Sequence, residues 1–257
     1  SELMGRDVFS YPKPVSLMKH LFNFLARDGD TVMDFFSGSA SAADGALHWS
    51  AENGKKLKNI MVQLPENLDE NLKTADSNSK KIIQNGIDLL DSLGKPHFLT
   101  ELGKERIRRA AKKIKEETKA DIDYGFRVYR LDSSNMQDVY YKPQEYSQSN
   151  LDLFADNVKA DRTADDLLAQ VMLDWGLPLS LKIEQVEVSA KQVFKVADNS
   201  LYACFDNNID EDFAKAIAQD KPLRIVFKDS GFKNDTAKTN VKQLLHQLSP
   251  ETEMKVI

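Results

Sequence analysis

The sequence predicts an α/β protein with two domains, and three observations lead to that prediction. Helix-like and strand-like patterns alternate in the first half, which favours a parallel sheet covered by helices. After residue 162 the strand-like runs become short and frequent, which is typical of a separate α+β module. The 257 residues are 41% hydrophobic and 29% charged, an ordinary composition for globular domains.

Four elements are predicted at the start of the chain. The stretch Pro14–Ala26 has apolar residues at helical spacing, and proline suits the first turn of a helix. The apolar run Thr31–Phe36 is predicted to be a buried strand. The small residues of Ser41–Trp49 favour a helix that lies close to a sheet, and Ile60–Val62 is predicted to be a second strand.

The middle of the chain continues the alternation. We expect two helical stretches within Asn71–Leu93, with a break near Asn85-Gly86, and a charged helix over Lys104–Lys119. The alternating side chains of Phe126–Leu131 predict a third strand. The polar stretch Ser147–Asp161 resembles a linker, so we expect one domain over residues 1–146 and a second over 147–257.

The second half has its own alternation of short elements. A helix is predicted to end at Gly176, because glycine followed by proline is a common stop signal. The predicted helices are Thr163–Leu177, Glu211–Gln219 and Ala237–Leu248, and the predicted strands are Ile183–Val188, Val193–Val196, Leu201–Phe205 and Leu223–Phe227.

Composition excludes several classes of function. Cys204 is the only cysteine, so an internal disulfide and a cysteine-built metal site are impossible, and the four histidines lack metal-like spacing. No apolar run approaches the roughly 18 residues of a membrane span, and no signal peptide is recognisable, so we expect a cytoplasmic protein. The net charge of −5 argues against a nucleic-acid surface over the whole molecule.

One charged helix is a weaker candidate for contact with phosphates. Its basic residues are Arg106, Arg108, Arg109, Lys112, Lys113 and Lys115. Three glutamates interrupt this run, so a solvated helix face is favoured over a phosphate-binding surface.

The strand Thr31–Phe36 and the loop after it form the first candidate site. Asp34 falls at the carboxyl end of the strand, where open α/β sheets place their ligand crevice. Gly38 allows close backbone approach, while Ser37 and Ser39 add hydroxyl groups without bulk. An ordinary strand-to-helix turn explains the loop equally well, and the G-x-G-x-x-G fingerprint of dinucleotide-binding proteins is absent.

The segment Pro12-Lys13-Pro14 is the second candidate. Two prolines hold the backbone around Lys13 extended, which could place the lysine over the edge of a cofactor. Taken alone, the segment is better explained as an entry turn for the helix that follows.

Together these motifs resemble a known family. Phe9-Ser-Tyr-Pro-Lys-Pro14, an amphipathic helix and Asp34-Phe-Phe-Ser-Gly-Ser39 are similar to the S-adenosylmethionine site of N6-adenine DNA methyltransferases. The resemblance narrows to the modification subunit of type III restriction–modification systems through three stretches. These are Ile60-Met-Val-Gln-Leu-Pro-Glu66, Gly125 to Asn135 and Phe232 to Asn240.

The resemblance implies a fold and a set of cofactor contacts. The fold would be a partial Rossmann-like methyltransferase sheet followed by a smaller α+β domain for assembly or dimerisation. The motif containing Tyr11, Lys13 and Pro14 would lie at the methionine end of S-adenosylmethionine. The contacts expected further along are Asp34, Phe35, Ser37, Gly38 and Ser39 around the methionine and ribose, Gln63 at the ribose hydroxyls, and Asp132 to Asn135 near the adenine.

One expected motif is missing. These enzymes share an Asp-Pro-Pro-Tyr tetrapeptide that holds the flipped target adenine, and no such tetrapeptide or close variant occurs in this sequence. In the family it precedes the Pro-Lys-Pro segment, so we expect this chain to be a C-terminal fragment without catalytic residues. The strand Thr31–Phe36 should then have an unpaired edge that something else covers.

Two functions follow from the resemblance. The first is a fragment of a DNA adenine methyltransferase that uses S-adenosylmethionine without metal and is inactive alone. Its implied partners are DNA, a second copy of the chain and a helicase–nuclease restriction subunit, with no membrane. The second is an assembly or dimerisation module of that complex with no catalysis of its own. A small-molecule methyltransferase fits the later stretches poorly.

Overall fold

A computed structural model describes residues 2–137 and 157–257. The chain divides into two units, Ser1–Tyr129 and Arg130–Ile257. The described helices and strands are mixed along the chain, which confirms the α/β class. The domain boundary expected between residues 146 and 147, and most of the expected linker, lie outside the described residues.

As described, the N-terminal unit combines five α-helices and one 3-10 helix with a two-stranded parallel sheet. Its elements are a 3-10 helix Glu2–Met4, α1 Val15–Leu25, β1 Thr31–Asp34, α2 Ser41–Asn53, β2 Lys58–Met61, α3 Leu68–Thr74, α4 Ser77–Ser92 and α5 Leu99–Thr118. The register of the sheet runs from Thr31 opposite Lys58 to Asp34 opposite Met61. The carboxyl ends of the two strands therefore meet at one edge.

The sheet of this unit is covered on one face. Val32 and Met61 pack on a cluster that includes Phe22 and Trp49 from α1 and α2. Met33 and Ile60, which are register partners, remain 58% and 48% exposed. Strand β1 pairs only with β2 within the described residues, so its other edge is open, as expected from the sequence.

The predicted helix break at Asn85-Gly86 is wrong. The chain breaks instead at Ala75, after which the Asp76 carboxylate accepts hydrogen bonds from the N–H groups of Asn78 and Ser79 and caps α4. Gly86 lies buried within α4, where an added Cβ would come within 2.9 Å of the Leu102 side chain. The glycine therefore permits close packing between two helices and does not end one.

The third strand predicted over Phe126–Leu131 is also wrong. These residues form no strand, and no strand pairs with them within the described residues. Phe126 packs instead against the α2–α5 cluster, with the Arg108 guanidinium 5.5 Å from its ring centre. Alternation alone cannot make a strand when no neighbouring strand is available to complete the hydrogen bonds.

The C-terminal unit is a five-stranded mixed sheet with helices on both faces. Its elements are α6 Ala164–Asp174, β3 Ile183–Val188, β4 Lys191–Val196, β5 Leu201–Cys204, α7 Glu211–Ala218, β6 Arg224–Phe227, a 3-10 helix Asp229–Gly231, α8 Asp235–Leu248 and β7 Glu253–Val256. The strand order is β3-β4-β5-β6-β7, antiparallel from β3 to β5 and parallel from β5 to β7.

Both faces of this sheet are buried along its central strands β4, β5 and β6, whereas the outer strands β3 and β7 contain no buried residue. One cluster contains residues of α7 and α8, and the other contains residues of α6. The predicted elements of this unit all occur, within a few residues at each end, and Thr163 and Asp166 form a capping box at the start of α6. Strand β7 was not predicted.

Candidate cofactor site after the first strand

The loop after β1 is a tight turn built around Asp34. The Asp34 carboxylate accepts a hydrogen bond from the N–H group of Phe36 at 3.1 Å, which ends the strand two residues earlier than predicted. Gly38 and Ala40 then take left-handed backbone conformations, with φ of 46° and 57°. The chain thus reverses sharply into α2.

The N–H groups of this loop donate hydrogen bonds within the chain. Ser37 donates to the Val62 carbonyl at 3.1 Å, and Ala40 donates to the Ser37 carbonyl at 2.6 Å. Gly38 donates to Oε1 of the Gln63 side chain at 2.7 Å. The structure therefore brings Gly38 and Gln63 together, because parallel pairing places the ends of β1 and β2 side by side.

Ser39 and Ser41 connect the loop to a buried ion pair. Their hydroxyl oxygens lie 2.9 Å apart, and Nη1 of Arg106 donates to the Ser41 hydroxyl at 3.0 Å and to the Ser39 carbonyl at 3.2 Å. Nε of Arg106 donates to the Asp44 carboxylate at 3.1 Å, and both side chains are buried. Arg106 therefore anchors the loop to α2 and α5.

Sequence reasoning missed this role of Arg106. The interpretation of its helix as a solvated basic face is wrong at this position, although Lys112 is 78% exposed by side-chain area. A signal was present, because residue 106 lies three and four residues from Gly103 and Ala110, on the apolar face of α5. Gly103 lies so close to the loop that an added Cβ would be 3.5 Å from the Gly38 carbonyl oxygen.

The Pro-Lys-Pro segment lies on the surface. Tyr11 is 91% exposed, and Lys13 and Pro14 are exposed as well. Pro14 is the N-cap of α1, and its carbonyl accepts from the N–H group of Leu17 at 3.1 Å. Within the described residues, no hydrogen bond or ion pair joins Tyr11 or Lys13 to the Asp34 loop.

An exposed aromatic and aliphatic surface surrounds the loop. The rings of Phe35 and Phe36 are exposed, with centres 5.2 Å apart. The exposed side chains of Met33, Ile60 and Leu64 belong to the same two strands and the loops that follow them. Such a surface offers rings on which a flat heterocycle can stack beside a carboxylate and small polar groups.

The stretch Asp132 to Asn135 belongs to the C-terminal unit. The Asn135 amide donates to the Asp166 carbonyl at 2.8 Å, and its backbone N–H group donates to the Gln170 side chain at 3.1 Å. A hydrogen bond from the N–H group of Ser133, and then the Arg162 charge, lower the pKa of Asp132. The described contacts of this stretch are thus with α6 and with Lys159 and Arg162 just before it, and its expected place near an adenine ring stays a prediction.

Two further features, a metal-binding cluster and a membrane-spanning helix, are absent from the described residues. Within residues 2–137 and 157–257, no group of three or more His, Cys, Asp or Glu side chains could hold a metal ion. No helix in the same ranges has the length and apolar character of a membrane span.

Comparison with known proteins points to one class. No protein-family model matches the chain. Curated relatives are, however, Mod subunits of type III restriction–modification enzymes, which confirms the resemblance that the motifs indicated.

Three such relatives give the extent of the similarity. The StyLTI Mod subunit of Salmonella typhimurium is 30% identical over 137 residues, covering 53% of this chain and 18% of the relative. The EcoP15I Mod subunit of Escherichia coli is 29% identical over 234 residues, which cover 88% of this chain and 32% of the relative. The EcoPI Mod subunit of Escherichia phage P1 is 24% identical over 245 residues, which cover 90% of this chain and 34% of the relative. The chain therefore spans about a third or less of the length of these relatives.

Proposed function

We propose that this chain is the cofactor-binding part of a DNA modification enzyme of a type III restriction–modification system. The reaction would transfer a methyl group from S-adenosylmethionine to N6 of adenine in DNA. The observation that carries the proposal is similarity to Mod subunits over about nine tenths of the chain, combined with the Asp34 loop at the joined ends of two parallel strands.

The residues of the loop suit S-adenosylmethionine. The half-buried Asp34 carboxylate can face a cationic or hydroxylated part of the ligand, and the exposed ring of Phe35 can stack on a heterocycle. Ser37, Gly38 and Ser39 leave room for close approach. S-adenosylmethionine supplies the activated methyl group, and the remaining contacts would come from Gln63 and from the segment containing Tyr11, Lys13 and Pro14.

The open two-stranded sheet of the N-terminal unit supports the proposal that this chain holds only part of an active site. Open α/β sheets normally carry helices on both faces, whereas Met33 and Ile60 are exposed and one edge of β1 is unpaired within the described residues. We propose that further strands of a Rossmann-like sheet, and the tetrapeptide that holds a flipped adenine, come from polypeptide outside residues 1–257. The chain alone would then be inactive in methyl transfer.

The proposal also includes partners. The functional assembly would contain DNA, a second copy of the protein and a restriction subunit, with residues 147–257 serving assembly. A role in assembly alone is the second candidate. It is favoured by the C-terminal unit, which buries both faces of the central strands of its own sheet and, among the described residues, leaves β3 and β7 as sheet edges.

Calorimetric titration of the 257-residue chain with S-adenosylmethionine tests the proposal. We expect binding that weakens at least about tenfold in Asp34→Asn, since loss of a charged partner typically costs about 1.5–3 kcal/mol. Asp212→Asn is the matched control, because Asp212 lies on the surface of α7. A folded wild-type chain that binds no S-adenosylmethionine but forms dimers in light scattering would favour the assembly function instead.

A further inference from the structure

Strand β7 forms an open edge of the C-terminal sheet. Among the described residues it pairs only with β6. The N–H groups of Glu253 and Ile257 donate to carbonyl groups on the β6 side at 2.9 and 3.0 Å. Because inward and outward groups alternate along a parallel pair, the N–H and C=O groups of Met254 and Val256 point away from β6. The outer side of β7 therefore offers backbone donors and acceptors to an added strand.

A groove lies beside this edge, between β7 and α8. It has a volume of about 470 Å³ and is lined by Lys238, Thr239, Lys242, Met254, Lys255 and Val256. Met254 and Val256 are half-buried and pack against the apolar cluster that contains residues of α7 and α8. The groove therefore has an apolar floor and a basic rim.

The charge of the groove is positive. Three of its lining residues are lysines, and none is acidic. Lys238 pairs with two carboxylates, at 2.7 and 3.5 Å, and Lys255 lies 3.5 Å from the Glu253 carboxylate. Lys242 is exposed, and its side chain takes part in no ion pair or hydrogen bond among the described residues. At least one cation of the rim is thus available to an acidic partner.

The spacing of the lysines matches that of an extended strand. Lys238 and Lys242 are four residues apart on α8, which corresponds to about 6 Å along the helix axis. Side chains on one face of a strand repeat every two residues, or about 6.6 Å. Because α8 is the crossover helix between the parallel strands β6 and β7, it runs along the sheet. Acidic side chains at alternate positions of an added strand would therefore face both lysines.

We infer that β7 receives an extended segment of a partner protein that carries acidic side chains at alternate positions. The segment extends the sheet through the outward backbone groups of Met254 and Val256, and its carboxylates face Lys238 and Lys242. This inference goes beyond the cofactor function and gives a partner chemistry to the assembly role proposed for residues 147–257.

Two other occupants fit this edge less well. Two copies of β7 side by side would bring the same basic rim together, and like charges across neighbouring strands are destabilising. Duplex DNA would neutralise the lysines but would not pair with the outward groups of Met254 and Val256. The other described edge strand, β3, carries Glu184 and Glu187, so an acidic segment is favoured at β7.

Fluorescence anisotropy with the 257-residue chain tests the acidic preference. The probe is a labelled eight-residue peptide in which glutamate and valine alternate. We expect it to bind at least about fivefold more tightly than the same peptide with glutamine in place of glutamate, because several exposed ion pairs act together. Lys242→Glu should reduce this preference below about twofold. Lys81→Glu, the same charge change at an exposed position of α4, should leave it unchanged.

N-methylated peptides test strand addition without altering the protein. In an extended segment the N–H groups of the glutamates point to one edge and those of the valines to the other. We expect methylation of one set to abolish binding and methylation of the other set to be tolerated. Equal effects of the two sets would show that the peptide does not extend the sheet.

Three further results would overturn the inference. The first is equal affinity for the glutamate and glutamine peptides, or an unchanged preference in Lys242→Glu. The second is a dimer in light scattering that dissociates when the peptide is added, which would make a second copy the occupant. The third is binding of a short DNA duplex that Lys242→Glu weakens, without binding of the peptide.

These outcomes are separate from the failure of the proposed functions. None of them involves S-adenosylmethionine, so the cofactor function is tested independently by its own titration. A chain that forms dimers but binds no acidic peptide would retain the assembly function and lose only the strand-addition role of β7.

Discussion

The two sheets of this protein are stabilised in different ways. The five-stranded sheet of the C-terminal unit lies between two apolar clusters, and Ile225, Val226 and Phe227 of its strand β6 are fully buried. The two-stranded sheet of the N-terminal unit has one covered face, and α2 and α5 beside it are joined by the buried Arg106–Asp44 pair. One unit thus depends mainly on apolar packing, whereas the other adds specific polar links around an open sheet.

The difference relates to function. The C-terminal sheet is buried on both faces of its central strands, so its outer strands are left for further interactions. Among the described residues, the N-terminal sheet instead has apolar side chains and a strand edge exposed beside the candidate cofactor loop. The polar links fix that loop without requiring a complete core. Four predictions test this comparison.

We expect the largest loss of stability when an aromatic ring is removed from the core of the C-terminal unit. Phe227 contacts Phe213 and Phe232 at ring-centre distances of 6.1 and 5.3 Å. Phe227→Ala should lower the free energy of unfolding of this unit by about 3–5 kcal/mol, measured by urea denaturation. Met33→Ala on the exposed face of β1 should change the free energy of unfolding of the N-terminal unit by less than about 0.5 kcal/mol. Similar effects of both substitutions would contradict the comparison.

A second substitution tests the polar link of the N-terminal unit. Arg106→Met leaves the buried Asp44 carboxylate without its charged partner, which should destabilise the unit by roughly 3 kcal/mol. Fluorescence of Trp49, buried in α2, can follow unfolding in a Trp175→Phe background. Lys112→Met breaks only an exposed contact with Glu116 and should have almost no effect. An Arg106→Met chain as stable as Lys112→Met would show that the buried pair is dispensable.

The buried thiol of β5 provides a pH-dependent test of the apolar core. Burial raises the pKa of Cys204 to about 11. The unfolded thiol ionises near pH 9 while the folded one stays protonated, so stability should fall by up to about 2 kcal/mol between pH 9 and 11. The measurement is the difference in unfolding free energy between wild type and Cys204→Ala across that range. Rapid reaction of the folded chain with a disulfide reagent at pH 7 would contradict this burial.

The smallest expected effect concerns a surface link of the N-terminal unit. His97 lies between Asp91 and Asp69, whose hydrogen bonds raise its pKa. Its contribution to stability should be complete below about pH 6.5 and be lost as the pH rises through the raised pKa. Because the carboxylates are exposed, we expect well under about 1 kcal/mol.

Nuclear magnetic resonance titration of the His97 ring measures this link. Asp91→Asn should lower the pKa of His97, whereas Asp88→Asn, on the same helix but paired with Arg6, should not. The same titration midpoint in wild type and Asp91→Asn would mean that Asp91 does not hold the ring.

Local patterns predicted much of the fold. Helix α6 was recognisable from its stop signal, and the loop at Asp34 from its small residues. The errors arose where distant packing decides the outcome. Gly86 lies within α4 because it packs closely against the Leu102 side chain, and Phe126–Leu131 lacks a neighbouring strand within the described residues. A local sequence window shows neither the packing of Gly86 nor the missing strand.

The candidate site was predictable only in part. The approach of Gly38 to Gln63 follows from parallel pairing of the first two strands, which the helix–strand alternation favoured. The role of Arg106 depends on a hydrogen bond to Asp44, in a helix that is distant in the sequence. Sequence spacing does not reveal such bonds.

Strand β7 has a consequence for synthesis of the protein. Strand β6 lies between β5 and β7, and β7 supplies its outer hydrogen bonds. During translation, residues 224–227 leave the ribosome about 30 residues before residue 253. Until residue 253 follows, β6 has no partner on its outer side, and its apolar residues form an open sheet edge. In this interval β5 is available to pair with β6, whereas β7 can close the sheet only when residues 253–256 emerge. A nascent chain stalled within this interval would therefore expose an edge prone to aggregation.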